Sequence, residues 1–166
     1  MFQIQVRPAA AADAAALSAL VGGLSLRSAL HRFFAGIGTP SPRLVAALLR
    51  RDGDHGAWVA AGRDGLLGHA MWGRDGDAAE LGVLVADPAQ GLGLGRALLA
   101  PTLAEAAGSG LTKVRLHVHA ENTRLLRRLS RGAHATSFAD GVCTITRPLS
   151  DLRAWALPAM PHTAVA

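Results

Sequence analysis

Along this chain the spacing of apolar residues changes period several times, and each change marks an element. In FQIQV (Phe2–Val6) apolar and polar residues alternate ahead of Pro8, the two-residue period of a short strand. AAALSALVGGL follows Asp13, which is placed as an N-cap, and its Ala and Leu content predicts a helix ending near Gly22 and Gly23. SLRSALHRFF (Ser25–Phe34) and SPRLVAALLRR (Ser41–Arg51) predict two more helices, the second with Ser41 as cap and Pro42 at its first position. From Ala57 the character changes: AWVAAG, LLGHAMWG and AELGVLV are short runs separated by RDG and RDGD, residues that suit tight turns. They predict a three-stranded antiparallel meander. Beyond it come a helix over about Gly93–Ala107, a strand over Lys113–His119, a helix opened by Asn122, and two terminal strands around TSFADGVCTIT.

Composition narrows the picture. With 166 residues, half of them hydrophobic and 17% charged, the chain fits one domain, taken as 1–150, followed by a Pro-containing tail over 151–166 that reads as loose or partner-dependent. No apolar run reaches the roughly 18 residues that span a bilayer, and the N-terminus lacks the order of a signal peptide, so a soluble, unexported, cytoplasmic protein is expected, without a membrane partner. The one cysteine, Cys143, permits no internal disulfide. The net charge of +5 comes almost wholly from arginine, Lys113 being the sole lysine; it suits an anionic ligand, though an Arg- and Ala-rich composition accounts for it equally well.

The chemistry concentrates in DPAQGLGLGRALLA (Asp87–Ala100), where glycines at 91, 93 and 95 stand between a strand and a helix. Glycines let backbone approach a ligand, and the N–H groups of a first helical turn carry partial positive charge, so such a loop cradles an anion, above all a phosphate. A nucleotide P-loop requires Gly-Lys-Ser/Thr at the helix start, where Arg96 and Ala97 stand here. A dinucleotide fingerprint requires a third glycine, but that position falls on Arg96 or Leu98. Gln90-x-x-Gly93-x-Gly95, by contrast, resembles the acyl-CoA pyrophosphate loop of the GNAT superfamily of N-acyltransferases, and the likeness runs from about Ala79 to Ala133. A glycine-rich turn without a ligand is the plain alternative.

The resemblance implies an α/β (α+β) fold: a mixed, mostly antiparallel central sheet flanked by helices, with a splayed strand pair holding acyl-CoA. It places the backbone of Val83, Leu84 and Val85 along the pantetheine arm. Gln90, Gly91, Leu92, Gly93, Leu94, Gly95 and Arg96 then surround the pyrophosphate, and Asn122 faces the cofactor while also capping its helix. AELGVLV and QGLGLGRALL, with SLRSALHRFF upstream, are more narrowly similar to the acetyltransferase domain of bacterial protein-lysine acetyltransferases, which carry a glutamate base in that strand. The matching residue is Glu80, which by strand parity shares a face with Gly82 and Leu84; an exposed strand end paired to an arginine is the alternative. Many relatives protonate the departing thiolate with a tyrosine, and this chain has none; Leu129 or Ser130 falls nearest, leaving water or Ser130 as the acid.

The expected activity is acetyl-CoA-dependent transfer of an acetyl group to an amine, on a protein lysine or a small molecule, in a direct ternary complex. The alternative is a non-catalytic acyl-CoA-binding sensor or interaction module. His117 and His119 share a strand face, but no cysteine or carboxylate cluster completes a metal site by spacing, so no metal is expected. Arg124, Arg127, Arg128 and Arg131 form one basic helix face, read first as solvated surface and otherwise as a contact for the CoA nucleotide phosphate or an acidic partner. Nucleic acid is not expected as a partner; a homodimer is compatible with the reading. Trp58 and Trp72 read as core, while His31, Phe33 and Phe34 fall in the segment where the family builds its acceptor-side wall.

Overall fold

The computed structural model describes residues 4–132 and 135–157. Among the described residues seven strands form one sheet: β1 (Gln5–Pro8), β2 (His55–Gly62), β3 (Gly65–Asp75), β4 (Ala78–Val85), β5 (Lys113–His119), β6 (Ala135–Ala139) and β7 (Val142–Pro148). Their order is β1-β2-β3-β4-β5-β7-β6, and only β4 and β5 run parallel. Helices α1 (Ala14–Gly22), α2 (Leu26–Phe33) and α3 (Pro42–Leu48) precede β2; α4 (Leu94–Gly108) crosses from β4 to β5, and α5 (Thr123–Leu129) links β5 to β6. A parallel pair needs a crossover of this kind, and α4 supplies it. The mixed, mostly antiparallel sheet flanked by helices is the expected fold.

Strand alternation sends two sets of side chains to opposite faces. Ala57 and Val59 of β2 and Leu84 of β4 join Leu17, Leu20, Val21, Val45 and Leu48 in a core beneath α1 and α3. On the other face Trp72, Ala79, Leu81, Val114, Val118, Cys143 and Ile145 pack with Leu99 and Leu103 of α4. Trp58 and Trp72 are structural, as read: Trp72 is buried, and the partly buried Trp58 donates from Nε1 to Glu105 at 2.7 Å. His69 is buried on the first face, its Nε2 2.8 Å from the Leu48 carbonyl, and burial pushes its pKa down to about 4.

Local differences from the sequence expectations have identifiable causes. Asp13 does not cap α1 with its side chain, because a 3-10 turn (Ala11–Asp13) precedes the helix; the carboxylate instead reaches back to the Ala10 amide at 2.8 Å and pairs with Arg7 at 2.7 Å. The first strand continues past Val6 to Pro8, since β1 lies at the sheet edge, where a missing N–H does no harm. Residues 1–3 of its expected start lie outside the described residues. Ser41 and Pro42 open α3 as expected, with the Ser41 Oγ accepting from the Leu44 amide at 3.2 Å, but the helix stops at Leu48.

The tail is the larger correction. Leu149–Ala156 forms a sixth helix, α6, rather than loose chain, and Leu149, Leu152 and Ala156 enter the core against α4. Its apolar residues recur at i, i+3 and i+7, a helical stripe that the nearby Pro158 and Pro161 obscured. Residues 158–166 lie outside the described residues. Leu152, 1% exposed, tests this docking: Leu152→Ala is expected to lower unfolding free energy by about 2–5 kcal/mol in chemical denaturation, whereas a loss below about 1 kcal/mol would place α6 outside the cooperative core.

Candidate active site

The parallel ladder between β4 and β5 has only three rungs, Ala78↔Lys113, Ala79↔Val114 and Glu80↔Arg115. Below the parting, the β3–β4 turn is tied to β5 by ion pairs of Asp77 with Lys113 (2.6 Å) and of Asp75 with Arg115. Above it, β4 stays with β3 as far as Val85, and β5 stays with β7 as far as His119. Leu81–Val85 and Leu116–His119 thus diverge, leaving the inner strand edges unpaired with each other. Val83 and Val85 are partly exposed there, while the Leu84 side chain is buried and offers only backbone.

Beyond the open end of β4 the chain turns through Asp87–Ala89 into the glycine loop. Gly91 and Gly93 both have φ +84°, the left-handed region that favours glycine, and Gly93 caps α4. Among the described residues the N–H groups of Gly93, Leu94 and Gly95 make no hydrogen bond, whereas Arg96 and Ala97 already donate to the Gly93 carbonyl. A Cβ added at Gly91, Gly93 or Gly95 would meet nothing within 4 Å. Gly68 and Gly82 differ, since an added Cβ would collide there with Leu98 and with the Arg32 guanidinium respectively. The loop glycines therefore leave an open cradle lined by free donors at a helix N-terminus, which fits a diphosphate.

Two polar side chains of the loop are engaged within the protein. Gln90 donates to the Val85 carbonyl and to Ser28 Oγ, both at 3.2 Å. Arg96 donates to the Trp155 and Leu157 carbonyls at 2.7 and 2.9 Å and stacks on the Trp155 ring. Leu94 is buried and Leu92 exposed. Asn122 caps α5, its Oδ1 accepting from the Leu125 amide at 3.3 Å.

Sequence reasoning missed Asp87. Its carboxylate accepts from the Ser25 amide and hydroxyl, both at 2.9 Å, and from the Ser28 hydroxyl at 2.6 Å, tying the loop entrance to the N-terminus of α2. The Ser28 hydrogen bond, then that of the Ser25 amide, holds the carboxyl below its usual range. The only advance signal was a pair of serines at i and i+3 opening a helix.

Glu80, at the last rung, projects with Gly82 onto the α2 face, its side chain 53% exposed. It borders a cavity of about 240 Å³ lined by Arg32, His55, Met71, Gly73 and Gly82. His117 from β5 stands beside it, Nε2 3.9 Å from a Glu80 oxygen and Nδ1 3.0 Å from Thr144 Oγ1. Arg32 comes from α2; its Nε is buried without a partner among the described residues, and burial lowers its pKa to about 10 against the pull of Glu80. Neither His117 as a neighbour of Glu80 nor Arg32 as a cavity residue stood out from spacing alone.

The other expected residues fall elsewhere. Ser130 caps the C-terminus of α5 and is exposed, while Leu129 beside it is buried in the core. The side chains of Arg124, Arg127, Arg128 and Arg131 are exposed and make no hydrogen bond among the described residues. Phe34 stacks on His119 at 6.2 Å between ring centres, and His31 lies 5.7 Å from the same ring. With Glu121, His31 and His119 bring one ligand atom each within 4.8 Å of one another. Spacing along the sequence does not reveal this grouping, since α2 contributes His31 from 88 positions upstream of His119.

The model of the acetyltransferase (GNAT) family matches residues 24–132, a span containing Glu80, the parted strands and the glycine loop. The chain belongs to the acetyltransferase (GNAT) family. Its GNAT fold is similar to the GNAT domain of PAT from S. lividans, at 26% identity and TM-score 0.79, over 87% of this chain and 90% of that one. A putative acetyltransferase of Salmonella typhimurium, yncA, solved with its cofactor acetyl-CoA, aligns at 21% identity and TM-score 0.69, over 97% and 99% of the two chains. The ribosomal-protein-S18-alanine N-acetyltransferase of Escherichia coli aligns at 17% identity and TM-score 0.65, over 96% and 98%. No curated protein matches the sequence. No described helix is long and apolar enough to cross a membrane.

Two outcomes follow for this GNAT loop. Gly95 has helical backbone and open space, so Gly95→Val is expected to fold yet lose acetyl-CoA binding in calorimetry; unchanged affinity in a folded variant would remove the cradle from the site. For Asp87, whose folded pKa is depressed, the stabilisation is complete above the ordinary carboxyl value of about 3.9 and is lost as pH falls through the lower folded value. Thermal melts of Asp87→Asn and the parent are therefore expected to differ at neutral pH and converge below that range.

Proposed function

We propose that this GNAT protein transfers an acetyl group from acetyl-CoA directly to an amine, with Glu80 as general base. The observation that carries the reading is the position of Glu80 at the last β4–β5 rung, beside a cavity and on the strand that leads to the glycine cradle. The N–H groups of Gly93–Gly95 hold the pyrophosphate, and the parted backbone of Val83–Val85 lines the pantetheine arm.

A lysine-like amine, pKa about 10.4, is almost fully protonated at pH 7, and deprotonating it costs about 4–5 kcal/mol. Glu80 takes that proton, directly or through water. The nitrogen then bonds to the acetyl carbon as the carbon–sulfur bond breaks, and the second proton the nitrogen sheds passes through water to the departing sulfur. A thiolate of pKa about 8.5 is a tolerable leaving group, costing about 2 kcal/mol at pH 7, so water supplies its proton, with Ser130 the alternative donor. Direct attack is favoured over an acyl-cysteine route because Cys143 is buried on the opposite face, where burial raises its thiol pKa.

Glu80→Gln keeps the shape and removes the basicity. It is expected to bind acetyl-CoA normally and to lose about 10²-fold or more in turnover, recovering partly at high pH where the amine is already neutral. Parent-like turnover at neutral pH would remove Glu80 from the reaction. Failure of the parent to release thiol with any amine or protein acceptor would favour the non-catalytic sensor.

A further inference from the structure

Arg32 is the unexplained charge of this cavity. A guanidinium taken out of water without a partner carries a desolvation cost that an anionic ligand would offset. Arg32 makes no hydrogen bond or ion pair within the described residues; its Nε is buried while the residue as a whole is partly exposed, and its guanidinium lies 4.9 Å from the Phe33 ring centre. Its guanidinium occupies the volume that a side chain at residue 82 would need, which accounts for Gly82 within an otherwise apolar strand.

The rest of the lining is already committed. Arg74 pairs with Asp54 at 2.5 Å and donates to the Ser109 carbonyl at 2.9 Å, and His55 pairs with Asp52 at 2.7 Å. Glu80 is the cavity's carboxylate but lies beyond ion-pair distance of Arg32, so one wall offers an unsatisfied cation and another a group suited to an amine. A free lysine side chain brings a second positive charge toward Arg32 and nothing to satisfy it. An amine with its own carboxylate satisfies both walls, since the planar guanidinium fork matches two carboxylate oxygens.

Resting on the N-acetyltransferase reading above, we infer that the acceptor is a small amine bearing a carboxylate, an amino-acid-like molecule, with Arg32 as the residue that recognises the carboxylate. Arg32 binds the acceptor without taking part in proton transfer. Its loss therefore weakens acceptor binding more than it slows the chemical step.

The test measures thiol release from acetyl-CoA by the full chain with three acceptor pools: free α-amino acids, the corresponding amines lacking the carboxylate, and lysine peptides with amidated C-termini. The amino-acid pool is expected to support release at least tenfold above the other two. For the best amino acid, Arg32→Gln is expected to raise KM tenfold or more with a smaller change in kcat and unchanged acetyl-CoA affinity, and Arg32→Lys to restore part of the loss. Release with amines or peptides equal to that with amino acids overturns the proposal while leaving the N-acetyltransferase reading intact. An unchanged KM in Arg32→Gln also overturns it. Should Arg32→Gln fail to fold, the comparison of pools and the Arg32→Lys KM still decide the matter. No release from any pool, with acetyl-CoA bound, overturns the N-acetyltransferase reading and this proposal with it.

Discussion

The parting of β4 from β5 after three rungs governs the rest of the molecule. Backbone N–H and C=O groups in a sheet interior are almost always paired, so a sheet that gives up pairing between two central strands does so for something placed between them. Here α4 and the glycine cradle close one end of the gap, and Glu80 stands at the other. The ion pairs of Asp75 with Arg115 and Asp77 with Lys113 lie just below the divergence and hold the strands together where they must still meet. The arrangement belongs to the GNAT family, and its local causes are residues of this chain.

α2 joins the two halves of the site. Its N-terminus is tied to the loop entrance through Asp87, and its last turn projects Arg32 over Gly82. Near its C-terminal end, Phe34 in left-handed geometry and His31 meet His119 at the end of β5. Burial, with Arg27 and His119 nearby, lowers the His31 pKa against the opposing pull of Glu121. One short helix thus touches the loop entrance, the cavity and the far strand, and its side chains line the cavity while the backbone of the glycine loop lines the cradle.

Much of this was legible in the sequence because it is written in local chemistry. The 91, 93 and 95 glycines, the Asn122 and Ser41 caps, the turn signals of the meander and the parity of Glu80 with Gly82 are each set within a few residues. What escaped was non-local. The ties of Arg96 to Trp155 and Leu157, of Asp87 to Ser25 and Ser28, and of His31 to His119 join residues tens of positions apart, so no periodicity reports them. Arg32 was invisible for a related reason: its importance lies in lacking a partner, a property that exists only once the surrounding cavity has formed. The tail was misread because its prolines outweighed a short apolar stripe whose partner, α4, lies far upstream.

Two sheet edges in the middle of a protein have a consequence for the life of the chain as well as for its chemistry. Exposed strand edges are templates on which another polypeptide can add a strand, the first step of aggregation, and proteins usually blunt them with charge or cover. Here α2 contacts both β4 and β5 along the divergence, placing a guanidinium, an imidazole and, at its C-cap, an aromatic ring beside the gap. The helix that lines the cavity is therefore also a guard against misassembly, and loosening it would leave the unpaired edges open to the strands of neighbouring chains.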